Sequence, residues 1–233
     1  MNARTAGRIA IVLLALALAG CGSLFGGPKA PPNLSEIKGE LRDYHVSGRY
    51  AAEVTAAIGE ARRALNRRAA PKPGQKLAVV FDVDETALSN MQAIQANDYG
   101  FITAGPCNLP QGPCGWDAWI SRAEAPAVQP TLDFVREAQA SGFAVFFISN
   151  RAERTRAATE RNLQSAGYAN WQGLVLRPDD SSQPTAAYKG PARCRIEALG
   201  WTIVLNVGDQ PGDVQGACQE RHVLLPNPFY RVP

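Results

Sequence analysis

The chain has 233 residues, 45% hydrophobic and 19% charged, which is enough apolar material for one well-packed globular domain and excludes disorder throughout. Its formal charge of +3 reduces to 22 basic against 21 acidic residues once Arg4 and Arg8, in a leader expected to be removed, are set aside. That balance gives no electrostatic case for a nucleic-acid polymer as partner.

Arg4 and Arg8 precede an apolar run over residues 9–19, well short of the ~20 residues a spanning helix needs, so residues 1–20 read as a signal peptide. Leu18-Ala19-Gly20-Cys21 resembles a bacterial lipobox, which implies cleavage before Cys21 and acylation of that cysteine. Gly22, where an aspartate would alter sorting, resembles an outer-membrane destination in the cell envelope. The alternative is an ordinary secreted protein with an incidental cysteine. Residues 21–34 are rich in Gly and Pro and read as a flexible tether. Cys107, Cys114, Cys194 and Cys218 remain, an even set that allows three disulfide pairings; Cys107 with Cys114 is the local choice, leaving Cys194 with Cys218. Zinc is the weaker alternative, since there is no C-x-x-C and the only histidines are His45 and His222.

A short helix is expected over 35–42, capped by Ser35, and a longer one over 47–70 with Tyr50, Val54, Ala57, Ile58, Ala61 and Leu65 at helical spacing. Residues 71–74 break it. The run LAVVF from Leu77 reads as a buried strand ending at Asp82 and Asp84, followed by a helix over 86–95. A long connection over 96–115 leads to helices over 116–122 and 129–140. The stretch 96–126 is taken as an inserted cap, because long loops in compact domains are usually functional. FAVFFIS (143–149) is a second strand, with a helix over 154–166 after it. A third short strand (174–176), a polar loop, a helix over 189–199, a fourth strand (201–207) and a fifth (222–225) complete the chain. Alternating strands and helices predict an α/β domain over 35–233: a three-layer, Rossmann-like, mostly parallel sheet with helices on both faces and a small inserted cap region after the first strand.

In such sheets ligands bind beyond the carboxyl ends of the strands. Asp82, Asp84, Ser149, Asp209 and Asp213 each lie at or just past a strand end. Strand alternation places Asp82 and Asp84 on one face, where two like charges need a cation or a shared proton. Carboxylates without His or Cys suit a hard cation such as one Mg²⁺, and Ser149 and Lys189 suit a phosphate. Each residue also has a plain alternative: Asp209 and Asp213 as turn formers, Ser149 as a helix cap, Lys189 as a solvated lysine. Tyr99, Phe101, Trp116 and Trp119 are either a wall against which a base or aryl group stacks, or core packing.

Asp82-Val83-Asp84-Glu85-Thr86 resembles the first motif of the haloacid dehalogenase superfamily, Phe147-Ile148-Ser149-Asn150-Arg151 the second, Lys189 the third, and Gly208-Asp209-Gln210-Pro211-Gly212-Asp213 the fourth. FDVDETALSN, together with the segment 119–127, is similar to the class B-type acid phosphatase group that includes bacterial lipoprotein acid phosphatases and plant vegetative storage proteins. The resemblance implies Asp82 as nucleophile, Asp84 as general acid and base, and Ser149, Asn150 and Lys189 around the phosphoryl group. It further implies Mg²⁺ held by Asp82, the Asp84 carbonyl and Asp209, with Asp213 in support. Arg151 either orients substrate or pairs with a carboxylate. The implied function is hydrolysis of small phosphomonoesters, nucleotides among the candidates. The competing readings are a non-catalytic storage lipoprotein on the same fold and phosphotransfer to an alcohol. Relatives often carry bulkier residues where this chain has Pro211 and Gly212, and Pro191 suits only the first turn of a helix.

Overall fold

All five side chains of β1 (Leu77–Phe81) are buried, because this strand lies at the centre of the sheet. β2 (Ala144–Ala152) and β4 (Thr202–Gly208) flank it, with β3 (Gly173–Arg177) and β5 (His222–Leu224) at the edges, in the order β3-β2-β1-β4-β5. Every pairing is parallel. A computed structural model describes residues 31–68 and 71–232; the leader, Cys21, most of the tether and residues 69–70 lie outside the described residues. Among the described residues no helix is long and apolar enough to cross a membrane.

Alternate side chains of β1 serve two cores. Leu77, Val79 and Phe81 pack with Ile58 and Leu65 of α2 (Arg49–Asn66), Phe134 of α5 (Gln129–Ala140) and Leu163 of α6 (Arg156–Ser165). Ala78 and Val80 face the other way, onto Tyr188, Ala192 and Ile196 of α7 (Thr185–Ala198). This is the three-layer α/β arrangement, and each fully buried large side chain contributes roughly 1.5–3 kcal/mol relative to exposure. The α2 stripe buries Tyr50, Val54, Ile58, Ala61 and Leu65, whereas Ala57 is only partly covered.

Several boundaries differ from the sequence expectation. α1 (Leu34–Val46) is longer, and Asn33, not Ser35, caps it, its Oδ1 accepting from the amides of Ser35 at 2.9 Å and Glu36 at 3.4 Å. The strand stops at Phe81, although the Asp82 amide still donates to Val207 O at 2.9 Å. Residues 83–90 form tight turns, with the amides of Ala87 and Leu88 donating to Val83 O and that of Glu85 to Leu88 O. The helix expected over 86–95 is therefore confined to α3 (Met91–Ala96), since Ser89 and Val128 bond across to Pro126 and Ala87. α7 begins at Thr185, four residues early, so Pro191 lies inside the helix rather than in its first turn. The two cysteine pairs are Cys107–Cys114 and Cys194–Cys218.

Candidate active site

The carboxyl ends of β1, β2 and β4 open onto a cavity of about 290 Å³. Its floor is acidic. Asp82, at the end of β1, is 7% exposed; Asp209 and Asp213, in the turn and short helix α8 (Pro211–Val214) after β4, are 4% and 2% exposed. One oxygen from each of these three lies within 4.8 Å of the others. Lys189, on the second turn of α7, places its ammonium between Asp82 and Asp213, 2.7 Å from the latter's Oδ1. Burial alone would push that lysine down, but the two carboxylates outweigh it and hold its pKa above the usual range. The Asp82 carboxyl is pushed up by burial first; Asp213, Asp209 and Asp84 add to the rise, and Lys189 opposes it. Burial and the charges of Asp213 and Glu85 likewise push Asp209 up.

Three carboxylates crowded in a low dielectric with one ammonium make an oxygen-only set short of positive charge, which fits a hard divalent cation. The oxygens are not equally free to bind one. Asp213 is the third residue of α8; its Oδ2 accepts from the amides of Gln210 (2.8 Å) and Asp209 (3.2 Å), and its Oδ1 meets Lys189. Asp209 Oδ2 accepts from Gln210 Nε2 and Asn227 Nδ2, both at 2.7 Å, leaving Oδ1, among the described residues, with only a long contact of 3.3 Å to Thr86. Asp209 Oδ1 is thus the less engaged oxygen of its carboxylate, whereas both oxygens of Asp213 are taken up by the protein. Gly208 is required for this packing, since a Cβ there would lie 2.4 Å from Asp213 Cβ. Gly212 is closely packed too, because a Cβ there would lie 2.7 Å from Thr185 Cβ and force a shift.

The Asp84 carboxylate borders the same cavity but is not among the clustered oxygens of Asp82, Asp209 and Asp213. It pairs with Arg151, 2.8 Å away, and accepts from Asn90 Nδ2 at 3.0 Å. Arg151 therefore pairs with a carboxylate. Asn150 borders the cavity, its Nδ2 donates to Thr185 Oγ1 at 2.7 Å, and its buried Oδ1 has no hydrogen-bond partner among the described residues. Ser149 is fully buried behind the wall, its Oγ accepting from the Arg151 amide at 3.1 Å.

The aromatic set divides. Phe101 and Trp116 line the cavity with ring centroids 5.0 Å apart. Tyr99 instead packs among His45, Tyr50 and Phe229, and Trp119, 1% exposed, is buried in the core with its indole N–H on Asn90. The third ring of the wall is Tyr230, 4.9 Å from Phe101 and nearly parallel to it. Tyr230, Arg177 and Arg231 all border the cavity and went unread in the sequence, since they sit in irregular segments or at a strand end with no motif around them.

A parallel α/β sheet with a cation-ready carboxylate cluster, a buried lysine and an aromatic-walled cavity at its carboxyl edge defines the class: an enzyme built to act on an anionic small molecule. The family model described as HAD superfamily, subfamily IIIB (Acid phosphatase), matches residues 32–233, and the chain belongs to that family of phosphomonoesterases. Acid phosphatase 1 of Solanum lycopersicum is 32% identical over 194 residues, 82% of this chain and 73% of that protein. The Stem 28 kDa glycoprotein of Glycine max is 36% identical over 157 residues, 66% of this chain and 59% of that one. The class C acid phosphatase of Bacillus anthracis shares the fold with a TM-score of 0.65 at 24% identity, covering 84% of this chain and 85% of that chain.

Proposed function

We propose that the protein is a divalent-cation-dependent acid phosphatase that hydrolyses small phosphomonoesters, 5′-nucleotides among them, through an aspartyl-phosphate on Asp82. The observation that supports it most is the buried cluster of Asp82, Asp209 and Asp213 around Lys189 at the cavity floor. In the first step an Asp82 oxygen bonds to phosphorus as the bond to the leaving oxygen breaks, and Asp84 gives that oxygen a proton. In the second, water attacks phosphorus, Asp84 takes back a proton, and phosphate leaves with Asp82 restored. Asp82 and Asp209 would hold a Mg²⁺-type ion, with Asp213 positioning Lys189; the bound ion offsets charge on the phosphoryl oxygens. Lys189 and Asn150 border the same cavity and would meet those oxygens. The rings of Phe101, Trp116 and Tyr230 suit a base or aryl group on the leaving side. Lipidation at Cys21 and attachment to the outer membrane belong to the same proposal; intact mass of the mature N-terminus tests them.

Phosphate release from p-nitrophenyl phosphate and 5′-nucleotides, with Mg²⁺ and after chelation, tests the activity. Turnover that needs the ion and disappears in Asp82→Asn with an unchanged melting curve is the expected result. No release from any of these substrates at acidic or neutral pH, or wild-type rates in Asp82→Asn, would sink the reading.

A further inference from the structure

The two oxygens of the Asp84 carboxyl are held very differently. Oδ1 accepts from Arg151 Nη2 at 2.8 Å, Arg151 Nε at 3.1 Å and Asn90 Nδ2 at 3.0 Å. Among the described residues Oδ2 receives only the shared Nε hydrogen, at 3.2 Å. Arg151 is itself fixed, its amide on Ser149 Oγ and its Nη1 on Thr159 Oγ1 at 3.3 Å.

Asn90 is fully buried, and its contacts leave one orientation open. Trp119 Nε1 can only donate, and it lies 2.7 Å from the amide oxygen of Asn90. The NH₂ group must then face the two carboxylates, Asp84 Oδ1 and Glu85 Oε2, each at 3.0 Å. The indole N–H of the cap helix α4 (Trp116–Arg122) thereby decides which way the amide points. Glu85 holds the other side: its Oε1 accepts from the Asn90 backbone N–H at 2.6 Å, and its Oε2 accepts the Tyr230 hydroxyl. Glu85 has φ 53°, a left-handed conformation that a non-glycine residue keeps only where its surroundings over-determine it. Neither Asn90 nor Trp119 borders the cavity, whereas Asp84 does.

We infer that Trp119, Asn90 and Arg151 are positioning residues that saturate Oδ1 of Asp84 and present Oδ2 as the oxygen that delivers the proton to the leaving group. This deepens the phosphatase reading and rests on it. Oδ2–H gives its proton to the leaving oxygen as that oxygen takes the electron pair of the breaking bond to phosphorus, and Asp84 is left as a carboxylate. Water later bonds through its oxygen to phosphorus as the bond from phosphorus to Asp82 breaks, leaving Asp82 a carboxylate, and gives a proton back to Oδ2. The inserted cap, through one indole N–H, thus reaches the proton-transfer step without touching substrate.

The consequence is a dependence on leaving group. A nitrophenolate departs with little help from an acid, whereas the alkoxide of a 5′-nucleotide needs the proton. Trp119→Phe keeps an aromatic ring and removes the donor, and Asn90→Ala removes both amide contacts. For each variant, kcat is measured on a 5′-nucleotide and on p-nitrophenyl phosphate in the same preparation, so the ratio is independent of the fraction folded. The nucleotide kcat should fall about tenfold or more beyond the fall for p-nitrophenyl phosphate, with KM little changed, a part of the usual contribution of general acid catalysis. Arg151→Lys, which keeps the charge and loses the fork, should shift the ratio in the same direction. An unchanged ratio in both Trp119→Phe and Asn90→Ala overturns the inference while leaving a phosphatase. A wild-type protein inert on both substrates overturns the phosphatase reading and this one with it.

Discussion

The Cys194–Cys218 bridge joins α7, which carries Lys189, to the segment after α8, which carries Asp213. Its contribution can be worked from the loop it closes: a sequence separation of 24 corresponds to roughly 3.5 kcal/mol of lost unfolded-state entropy, against roughly 2.5 kcal/mol for the separation of 7 at Cys107–Cys114. For a domain of this size that is a fall in melting temperature of roughly 7–14 °C. The double variant Cys194→Ala/Cys218→Ala, followed by calorimetry, should show it. Activity at room temperature should persist, because Arg193 independently ties the same two segments, donating to Asp213 O at 2.7 Å, Ala217 O at 3.3 Å and Gln215 O. A melting temperature within about 2 °C of wild type would refute the entropic reasoning. So would a larger loss from opening Cys107–Cys114, the shorter loop.

Burial, then the charge of Asp84, pushes the Glu85 carboxyl from its ordinary 4.5 up to about 7. The folded state therefore binds that proton more readily than the unfolded one, so its stabilisation is present below pH 4.5 and lost as pH rises through about 7. At ~1.36 kcal/mol per pH unit the gap amounts to roughly 3 kcal/mol, and Glu85→Gln should flatten that share of the pH dependence in chelated protein melted at pH 5 and pH 8; parallel profiles would contradict it. Gly212→Val should displace Asp213 and Lys189 through its clash with Thr185, costing about 1–3 kcal/mol and most of the activity, where a silent substitution would show that the close approach is unimportant. Arg177 borders the cavity with a buried Nε that has no partner among the described residues, so Arg177→Met should raise KM for phosphomonoesters about tenfold or more with kcat nearly held. An unchanged KM would place Arg177 outside substrate binding.

The central strands were legible because LAVVF and FAVFFIS are too apolar and too short to be anything but strands buried on both faces, and the polar residues at their ends follow from the parallel sheet. What was not legible lies in the turns. Residues 83–90 fold back through a left-handed Glu85, a conformation no propensity would assign to glutamate, and the pairing of the Asp84 carboxylate with Arg151 was one of two roles left open for that arginine. Trp119 and Trp116 share a helix face, yet one is core and the other cavity wall, a distinction set by the long-range contact of Trp119 with Asn90. Tyr230 comes from a C-terminal stretch without periodicity, and Arg177 from an edge strand; tertiary structure alone brings them to the cavity. Pro191 argued against an early start to α7, and the packing of Tyr188, Ala192 and Ile196 on the sheet overrode it.

The most direct test of the account is the covalent state of Asp82 during turnover. Wild-type protein mixed with Mg²⁺ and p-nitrophenyl phosphate, quenched in acid within the first turnovers and digested, should yield the peptide spanning Asp82 and Asp84 with one added phosphoryl group, and fragmentation should place it on Asp82. The same peptide from Asp82→Asn should carry none. Steady phosphate release with no modified peptide at any quench time, or a phosphoryl group on any other residue, would contradict the assignment of Asp82 as nucleophile.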